Sequence, residues 1–293
     1  MLNYQDIIKN RELRLKLINL LRFIPDKPYL KMVYKIKTGK KLNLKNPQTF
    51  SEKIQWLKLN EKHDEYTDLV DKIKVRKAVE KIMGEDICFP LIGVWDRYED
   101  IDFDSLPDKF VLKCNHDSGS VKLIKDKSKM DHKMLAEFFN GRLKINAYVL
   151  GREYPYKNVP PKIIAEKYME SQTSGEIRDY KFFCFDGQAK LMYVALDRSI
   201  NPRFDFFDMS FNRLDITNCD CPPSNKIYAK PEKFDEMKAI AEKLSRGMKQ
   251  VRIDLYEIDN KIYFGEYTFF HAGGFWPFEP EEWEKKIGDM IKL

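Results

Sequence analysis

V-R-I-D-L-Y-E-I-D-N-K-I-Y-F-G-E-Y-T-F-F-H-A-G-G, residues 251–274, is the stretch that decides the fold. β-Branched and aromatic residues fill both halves, and Asp259-Asn260 supplies turn residues between them, so we predict two antiparallel strands joined by a tight turn. Each strand holds one carboxylate among apolar neighbours, Asp254 in the first and Glu266 in the second. Because a buried charge without a partner is costly, two such carboxylates on paired strands require a cation between them.

The length of the turn decides whether the two carboxylates meet. Directly opposed residues of an antiparallel pair point to the same face of the sheet. A two-residue turn would oppose Asp254 to Gly265 and send Glu266 to the other face. A three-residue loop over residues 259–261, with Asn260 left-handed, would oppose Asp254 to Glu266. We predict the three-residue loop.

With that register, Arg252 and Thr268 join the carboxylates on one face, because each lies two positions away along its strand. Lysine or arginine could neutralise the pair, but two facing carboxylates also suit a hard divalent ion such as Mg2+. The alternative is a surface hairpin with both carboxylates in solvent. The apolar residues on either side argue against it, because a hairpin with solvent on both faces would expose them to water.

Composition favours an intracellular globular protein. The chain has 293 residues, of which 43% are hydrophobic, enough for one large core or several lobes. It contains no run of about 18 apolar residues and no apolar signal region at its start. Its five cysteines show no C-x-x-C spacing, which argues against a disulfide framework and a zinc knuckle. We expect a cytoplasmic location.

Positive charge is concentrated at the N-terminus. The net charge is +6, but residues 1–45 carry twelve Lys and Arg against three Asp and Glu. Apolar residues recur there at helical spacing, which predicts an amphipathic basic helix; they are Ile7, Ile8, Leu13, Leu17, Leu20 and Leu21. The helix could dock on the main body or contact an anionic membrane surface or acidic polymer. Nucleic acid is not expected, because no recognised binding motif accompanies the charge.

The chain divides into four predicted units: a basic helical extension over residues 1–48, an α/β region over 49–106, a small lobe over 107–169 and a larger lobe over 170–293. Seven charged residues lie within strand patterns of these units, beside a polar Ser/Gly loop at 114–120; they are Lys113, Glu166, Asp179, Lys181, Arg252, Asp254 and Glu266. This grouping indicates a polar crevice in which lysines and backbone N–H groups could hold phosphates. The chain lacks the Walker, G-x-G-x-x-G and protein-kinase motifs.

The order of these motifs resembles the ATP-grasp superfamily and, within it, the TupA-like branch associated with polyglutamate and cell-surface polysaccharide biosynthesis. The motifs that carry the resemblance are DKIKVR (71–76), FVLKCNH (110–116), EKYM (166–169), DYKFFCFDG (179–187), VRIDLY (251–256) and FGEYTF (264–269). Arg-x-Asp followed by Glu-x-Thr is similar to the metal signature of D-alanine ligases and biotin carboxylases, which have Asn where Thr268 stands. The resemblance implies an α+β ATP-grasp fold, with a nucleotide held between two mainly antiparallel sheet lobes.

The resemblance also implies roles for individual residues, with ATP and Mg2+ as cofactors. Catalysis falls to Arg252 and Lys113, and Mg2+ binding to Asp254, Glu266 and Thr268. ATP binding falls to Lys72, Lys113, Asn115, Ser118, Gly119, Ser120, Glu166, Lys167, Tyr168, Asp179 and Lys181. Separately from the resemblance, we predict that the loop H-A-G-G-F-W contacts the acceptor substrate, because its glycines allow a substrate to approach the backbone closely. The candidate residues are His271, Gly273 and Gly274.

These inferences favour an ATP-dependent carboxylate–amine ligase that forms an amide through an acyl phosphate. Its substrates would be a carboxylate-bearing sugar or glycan and an amine or amino acid, and its setting would be capsule or cell-envelope polysaccharide biosynthesis. The alternative enzyme is a glycosyltransferase that uses a sugar nucleotide, with Asp102-Phe103-Asp104 as its D-x-D motif. A third possibility is a binding module without catalytic activity, which would hydrolyse no ATP.

Overall fold

Two antiparallel sheets organise the chain, and the computed structural model describes residue 18 and residues 20–171, 177–196 and 202–293. The strands are β1 (Leu91–Trp95), β2 (Phe110–Cys114), β3 (Val121–Ile124), β4 (Ile163–Lys167), β5 (Arg178–Phe185), β6 (Gln188–Leu196), β7 (Arg203–Asp208), β8 (Arg213–Leu214), β9 (Gln250–Ile258) and β10 (Lys261–Thr268). The four-stranded sheet has the order β1-β4-β2-β3, and the six-stranded sheet has the order β10-β9-β5-β6-β7-β8. All neighbouring strands pair antiparallel, which confirms the predicted fold class.

Helices cover these sheets. They are α1 (Asp26–Thr38), α2 (Phe50–Asn60), α3 (Glu65–Val70), α4 (Val75–Met83), α5 (His132–Leu143), α6 (Tyr148–Gly151), α7 (Phe234–Leu244) and α8 (Glu281–Asp289). A capping box starts α2, because the Thr49 hydroxyl accepts from the Glu52 N–H and the Glu52 carboxylate accepts from the Thr49 N–H. In the described part of the chain, no helix has the length and apolar character needed to span a bilayer.

Three hydrophobic clusters hold the elements together. The largest joins β5, β6, β7, β9 and β10 to α2, α4, α7 and α8. A second lies between the four-stranded sheet and α5, and a third fixes α1 through Tyr29, Leu30 and Tyr34 against Phe275. The two sheets therefore have separate cores. The predicted boundaries of the four units stay a prediction.

Only the end of the predicted basic helix lies among the described residues. Ile7, Ile8, Leu13 and Leu17 fall outside them. Leu20 is exposed, and Leu21 packs partly against the third cluster.

The β9–β10 turn differs from the prediction. Asp259 and Asn260 both have positive φ, 48° and 63°, and Ile258 pairs with Lys261. These are the features of a two-residue type I′ turn, so the predicted three-residue loop is wrong. Its right-handed twist matches that of the paired strands, which favours it over the longer loop.

A β-bulge at Gly265 nevertheless brings the two carboxylates together. Phe264 pairs with Leu255, whereas Glu266 pairs with Asp254, so Gly265 is one extra residue in β10. Burial records the same shift, because Phe264 is buried before the bulge and Tyr267 is the next buried residue after it. The predicted pairing of Asp254 with Glu266 is therefore present, but the bulge produces it.

Candidate active site

A cleft of about 930 Å³ lies between the four-stranded sheet and the β9–β10 hairpin. Its volume is in the range of small-molecule and cofactor sites. Nine of the predicted site residues line it: Lys72, Lys113, Ser118, Gly119, Glu166, Lys167, Tyr168, Lys181 and Glu266. Strands β2 and β4 of one sheet thus supply Lys113, Glu166 and Lys167, and β10 of the other sheet supplies the predicted metal ligand Glu266.

Lys113 and Glu166 form an ion pair at the wall of this cleft. Val111 on β2 pairs with Glu166 on β4, and Lys113 lies two residues further along β2, so both side chains share one face of the sheet. The lysine is also 5.7 Å from the centre of the Phe89 ring. The pair keeps a cation and an anion at the cleft without leaving either charge unpaired.

The polar loop at residues 115–120 has only its tip in the cleft. Asn115 is fully buried, and its amide donates to Asp71 Oδ1 at 2.9 Å and to the Pro160 carbonyl at 3.0 Å. Ser120 is also buried and bonds Asp117. Asn115 and Ser120 therefore shape the loop from within the protein, whereas Ser118 and Gly119 line the cleft.

A buried ion pair fastens the same loop to α5. Asp117 accepts from Arg142 Nε at 2.9 Å, and both side chains are almost inaccessible to solvent. Lys72 Nζ donates to the Asp117 carbonyl at 2.6 Å. The predicted phosphate-binding lysine thus contacts the predicted phosphate loop directly.

At the inner end of the cleft, β5, β9 and β10 align three charged residues in one row. Lys181 pairs with Asp254, and Asp254 pairs with Glu266. Lys181 Nζ contacts both Asp254 and Asp179, the latter at 2.8 Å. The hydroxyl of Tyr256 donates to Asp179 at 3.0 Å. Asp179 is thus buried behind Lys181, 2% exposed, rather than at the cleft surface.

Arg252 connects this row of charged residues to His271. Its Nε donates to Asp254 Oδ1 at 2.6 Å, and its Nη1 lies 2.6 Å from His271 Nδ1. Burial alone would raise the pKa of Asp254, but Arg252 and Lys181 hold it below its ordinary value. Burial, followed by the charge of Arg252, lowers the pKa of His271 well below its ordinary value, so the imidazole is neutral near pH 7.

The model of the TupA-like ATPgrasp family matches residues 52–292, most of the chain. The chain belongs to this family. Membership confirms the predicted resemblance and the ATP-grasp fold. A comparison with curated proteins finds no match.

Solved structures similar to this TupA-like chain include D-alanine–D-alanine ligase from Bacillus anthracis in complex with ATP, with 17% identity and a TM-score of 0.38 over 69% of this chain and 53% of that chain. The Helicobacter pylori D-alanine–D-alanine ligase has 11% identity and a TM-score of 0.38 over 76% and 61%. N5-carboxyaminoimidazole ribonucleotide synthetase from Thermus thermophilus has 10% identity and a TM-score of 0.38 over 68% and 45%. The TupA-like chain thus spans about half the length of these structures.

The three predicted metal ligands of the TupA-like chain converge on one guanidinium nitrogen. Arg252 Nη2 is 2.8 Å from Asp254, 3.0 Å from the Thr268 hydroxyl and 3.4 Å from Glu266. Two carboxylates and a hydroxyl are the hard oxygen donors that Mg2+ prefers, so the residues fit such an ion in chemistry and arrangement. No group of three or more His, Cys, Asp or Glu suited to a metal occurs among the described residues, and the candidate ligands here are two carboxylates and a hydroxyl.

The loop predicted to face the acceptor lies beside Arg252 but is tightly packed. His271 is buried, and its second ring nitrogen lies 2.8 Å from Asn218 Oδ1. A side chain on Gly274 would place its Cβ 2.5 Å from Ile54, so that glycine permits close packing on α2. The carbonyl of Gly273 accepts from Lys58 Nζ at 2.6 Å.

Several residues at the cleft of the TupA-like chain are not among the predicted site residues. Phe89, Asp117 and Tyr256 line the cleft, although none of them is a predicted site residue. Arg142, the partner of Asp117, lies in α5. The polar character of the 114–120 loop gave a signal for Asp117, whereas nothing local identifies Arg142 as its partner.

Proposed function

We propose that this protein is an ATP-dependent carboxylate–amine ligase. The observation that carries the proposal is one cleft that is lined by Lys72 and Lys113 and also by Lys181 and Glu266 of the six-stranded sheet. A substrate carboxylate oxygen would attack the γ-phosphorus of ATP to give an acyl phosphate and ADP. An amine would then displace the phosphate and form an amide.

The residues serve this reaction by holding charge in position. Lys72 and Lys113 bind phosphate oxygens, and Arg252 stabilises the phosphoryl group in transfer. Residues 166–168 line the cleft at the end of β4, where they would bind adenine. Asp254, Glu266 and Thr268 are the residues that would hold Mg2+, whose charge would offset that of the phosphates. No covalent nucleophile on the protein is required.

We infer further that the carboxylate belongs to a sugar or glycan of capsule or cell-envelope biosynthesis, as the TupA-like resemblance implies.

Residues 20–45 support contact with an anionic membrane surface. Their exposed apolar side chains include Phe23, 76% exposed, and Ile36, 56% exposed. Eight Lys and Arg accompany them against one acidic residue, Asp26. Such a basic, partly apolar surface suits peripheral binding to anionic lipid.

Vesicle co-sedimentation tests the membrane contact. The protein should sediment with vesicles containing phosphatidylglycerol and not with pure phosphatidylcholine, and added salt should release it. Replacing Phe23 and Ile36 with Gln should weaken binding. Equal binding to both vesicle types would refute the contact.

Thermal-shift titrations test the nucleotide. ATP or ADP should raise the melting temperature, and Mg2+ should increase the effect. UDP-glucose and GDP-mannose should have none, because Asp102 and Asp104 of the D-x-D motif lie in an exposed turn that does not line the cleft. A shift with a sugar nucleotide alone would favour the glycosyltransferase.

Asp254→Asn and Glu266→Gln then test the catalytic assignment. Each should lower ATP turnover at least about a hundredfold, since each removes charge from the phosphoryl-transfer site. Asp104→Asn is the matched control, because Asp104 is exposed and outside the cleft. Circular dichroism should show a native fold for all three variants. Near-normal turnover in Asp254→Asn and Glu266→Gln would contradict the metal assignment.

A further inference from the structure

The imidazole of His271 is held on all sides inside the protein. The side chain is 3% exposed. Its Nδ1 lies 2.6 Å from Arg252 Nη1, and its Nε2 lies 2.8 Å from Asn218 Oδ1. The Phe183 ring lies nearly perpendicular to it with the ring centres 5.0 Å apart, and the Phe278 ring stacks on it at 5.9 Å. The imidazole therefore has a fixed position between a guanidinium and an amide.

The hydrogen-bond partners determine which ring nitrogen of His271 carries the hydrogen. A guanidinium only donates, so Nδ1 accepts from Arg252 and carries no hydrogen. On the other side of the ring, the Asn218 amide nitrogen donates to the carbonyls of Trp276, at 2.7 Å, and Pro277, at 3.2 Å. The amide oxygen is therefore turned towards the ring and accepts from Nε2. Both partners thus require the same neutral tautomer, with the hydrogen on Nε2.

The backbone on both sides supports this arrangement. Thr217, next to Asn218, exchanges two backbone hydrogen bonds with Glu279, at 2.8 Å and 2.9 Å. In the turn that begins with the histidine, the Gly273 carbonyl accepts from Lys58 Nζ of α2 at 2.6 Å. The amide and the imidazole consequently project from backbone that other segments of the chain hold in place.

Arg252 divides its N–H groups between the predicted metal ligands and the imidazole. Its Nε and Nη2 donate to Asp254, and Nη2 also lies 3.0 Å from the Thr268 hydroxyl and 3.4 Å from Glu266. Two contacts of Nη1 involve no predicted metal ligand: the imidazole at 2.6 Å and the Tyr193 hydroxyl at 3.3 Å. The imidazole therefore holds the guanidinium independently of the predicted metal ligands.

We propose that His271 is a positioning residue for Arg252 in phosphoryl transfer. This inference rests on the proposed ligase function. The unprotonated Nδ1 accepts from Nη1 and fixes the plane of the guanidinium, which directs its positive charge at the oxygens of the transferring phosphoryl group. Such stabilisation is effective when the charged group is in place before the reaction. His271 thus acts through Arg252, which differs from the predicted contact with the acceptor substrate.

The tautomer is tested first, by proton–nitrogen correlation NMR of the histidine side chains. The chain has four histidines, so the His271 signals are assigned by their loss from the spectrum of His271→Asn. At neutral pH, Nδ1 should give the downfield nitrogen signal of an unprotonated imidazole nitrogen, and the ring hydrogen should lie on Nε2. A hydrogen on Nδ1, or on both nitrogens, would refute the inference whether or not the protein is a ligase.

Kinetics then separates positioning from a purely structural role. His271→Met removes the acceptor, so kcat for ATP turnover should fall about tenfold to a hundredfold, since a shift of about 1 Å in a catalytic group can cost that much. The KM for ATP should stay unchanged, because the lost interaction is made in the transition state. In His271→Asn, the side-chain oxygen can take the place of Nδ1 and accept from Arg252, so this variant should recover most of the turnover.

His132→Met is the matched control. His132 is exposed and does not line the cleft, so the same substitution there should leave turnover unchanged. Should His271→Met prove unstable, His271→Gln provides the same test, because its amide reaches the position of Nε2 and can bond Asn218 but not Arg252. Its turnover should fall as that of His271→Met does.

Thermal shift with ADP and Mg2+ distinguishes failure of this inference from failure of the proposed function. The nucleotide should stabilise wild type, His271→Met and His132→Met equally. If it does not stabilise wild type, the proposed function fails and the role of His271 in phosphoryl transfer fails with it. If it stabilises all three proteins but His271→Met keeps wild-type turnover, or His271→Asn loses as much, the positioning role alone is refuted. Loss of the ADP effect in His271→Met alone would show that His271 only maintains the structure.

Discussion

Gly265→Ala tests the bulge that sets the register of the site. The added methyl group would lie 2.8 Å from Tyr256 Cε2 and 3.0 Å from the Asp254 carbonyl oxygen. The φ angle of Gly265 is not in the left-handed region, so the conflict is steric rather than conformational. Either the Tyr256 ring or the backbone of Asp254 must move to accept the methyl group.

The expected cost follows from this overpacking. An extra methylene in a well-packed site destabilises a protein by about 1–3 kcal/mol. Each kcal/mol corresponds to about 2–4 °C in melting temperature for a chain of about 150–250 residues, so Tm should fall by a few degrees in this somewhat longer chain. ATP turnover should fall further, by about a hundredfold, because Asp254 and Glu266 depend on the bulge for alignment and a shift of about 1 Å can cost that much.

Gly141→Ala is the matched control. Gly141 lies in α5, and a Cβ there would have no heavy atom within 4 Å. This substitution should therefore stabilise the protein by about 0.4–1 kcal/mol and leave turnover unchanged. Urea unfolding and phosphate release measure both variants. If Gly265→Ala behaves like Gly141→Ala in both assays, the bulge does not align the site.

Three further predictions concern buried groups. Arg142→Met leaves Asp117 buried without its cation and should cost about 3–5 kcal/mol in urea unfolding; adding Asp117→Asn should recover part of the loss. Tyr256→Phe removes the 3.0 Å hydrogen bond to Asp179 and should lower the free energy of unfolding by about 1–3 kcal/mol. Burial lowers the pKa of Lys58 from 10.5 to about 8, so between these values the unfolded chain binds more protons and stability should rise with pH. Between pH 8 and pH 10, the free energy of unfolding of the wild type should therefore rise relative to that of Lys58→Met. Parallel pH curves for the two proteins would refute the lowered pKa of Lys58.

The sequence predicted much of the fold because strand and turn preferences are local. β-Branched and aromatic residues fill the strands of both major hairpins, and Asp186-Gly187, a residue pair typical of such turns, connects β5 to β6. The charged residues within strands were also visible, since charge inside an apolar strand is unusual whatever the partner. The order of the motifs was enough to indicate the ATP-grasp fold.

Register was predicted less well. The sequence contains a sign of the bulge, because Ile262 and Phe264 alternate in one phase and Tyr267 and Phe269 in the other, with Gly265 between them. A glycine inside a strand often marks such a bulge. The predicted three-residue loop also pairs Asp254 with Glu266. The pairing of these carboxylates therefore does not distinguish that loop from a two-residue turn followed by a bulge at Gly265.

Taken alone, the sequence determined which residues carry charge, which segments are strands and which family the chain resembles, because these depend on residue type and local order. Tertiary structure alone decided that Lys113 pairs with Glu166 and that Arg142 holds Asp117. Those relations join segments distant in the chain. They follow from how the sheets and helices pack, and a one-residue change in strand register would reverse which side chains face the cleft.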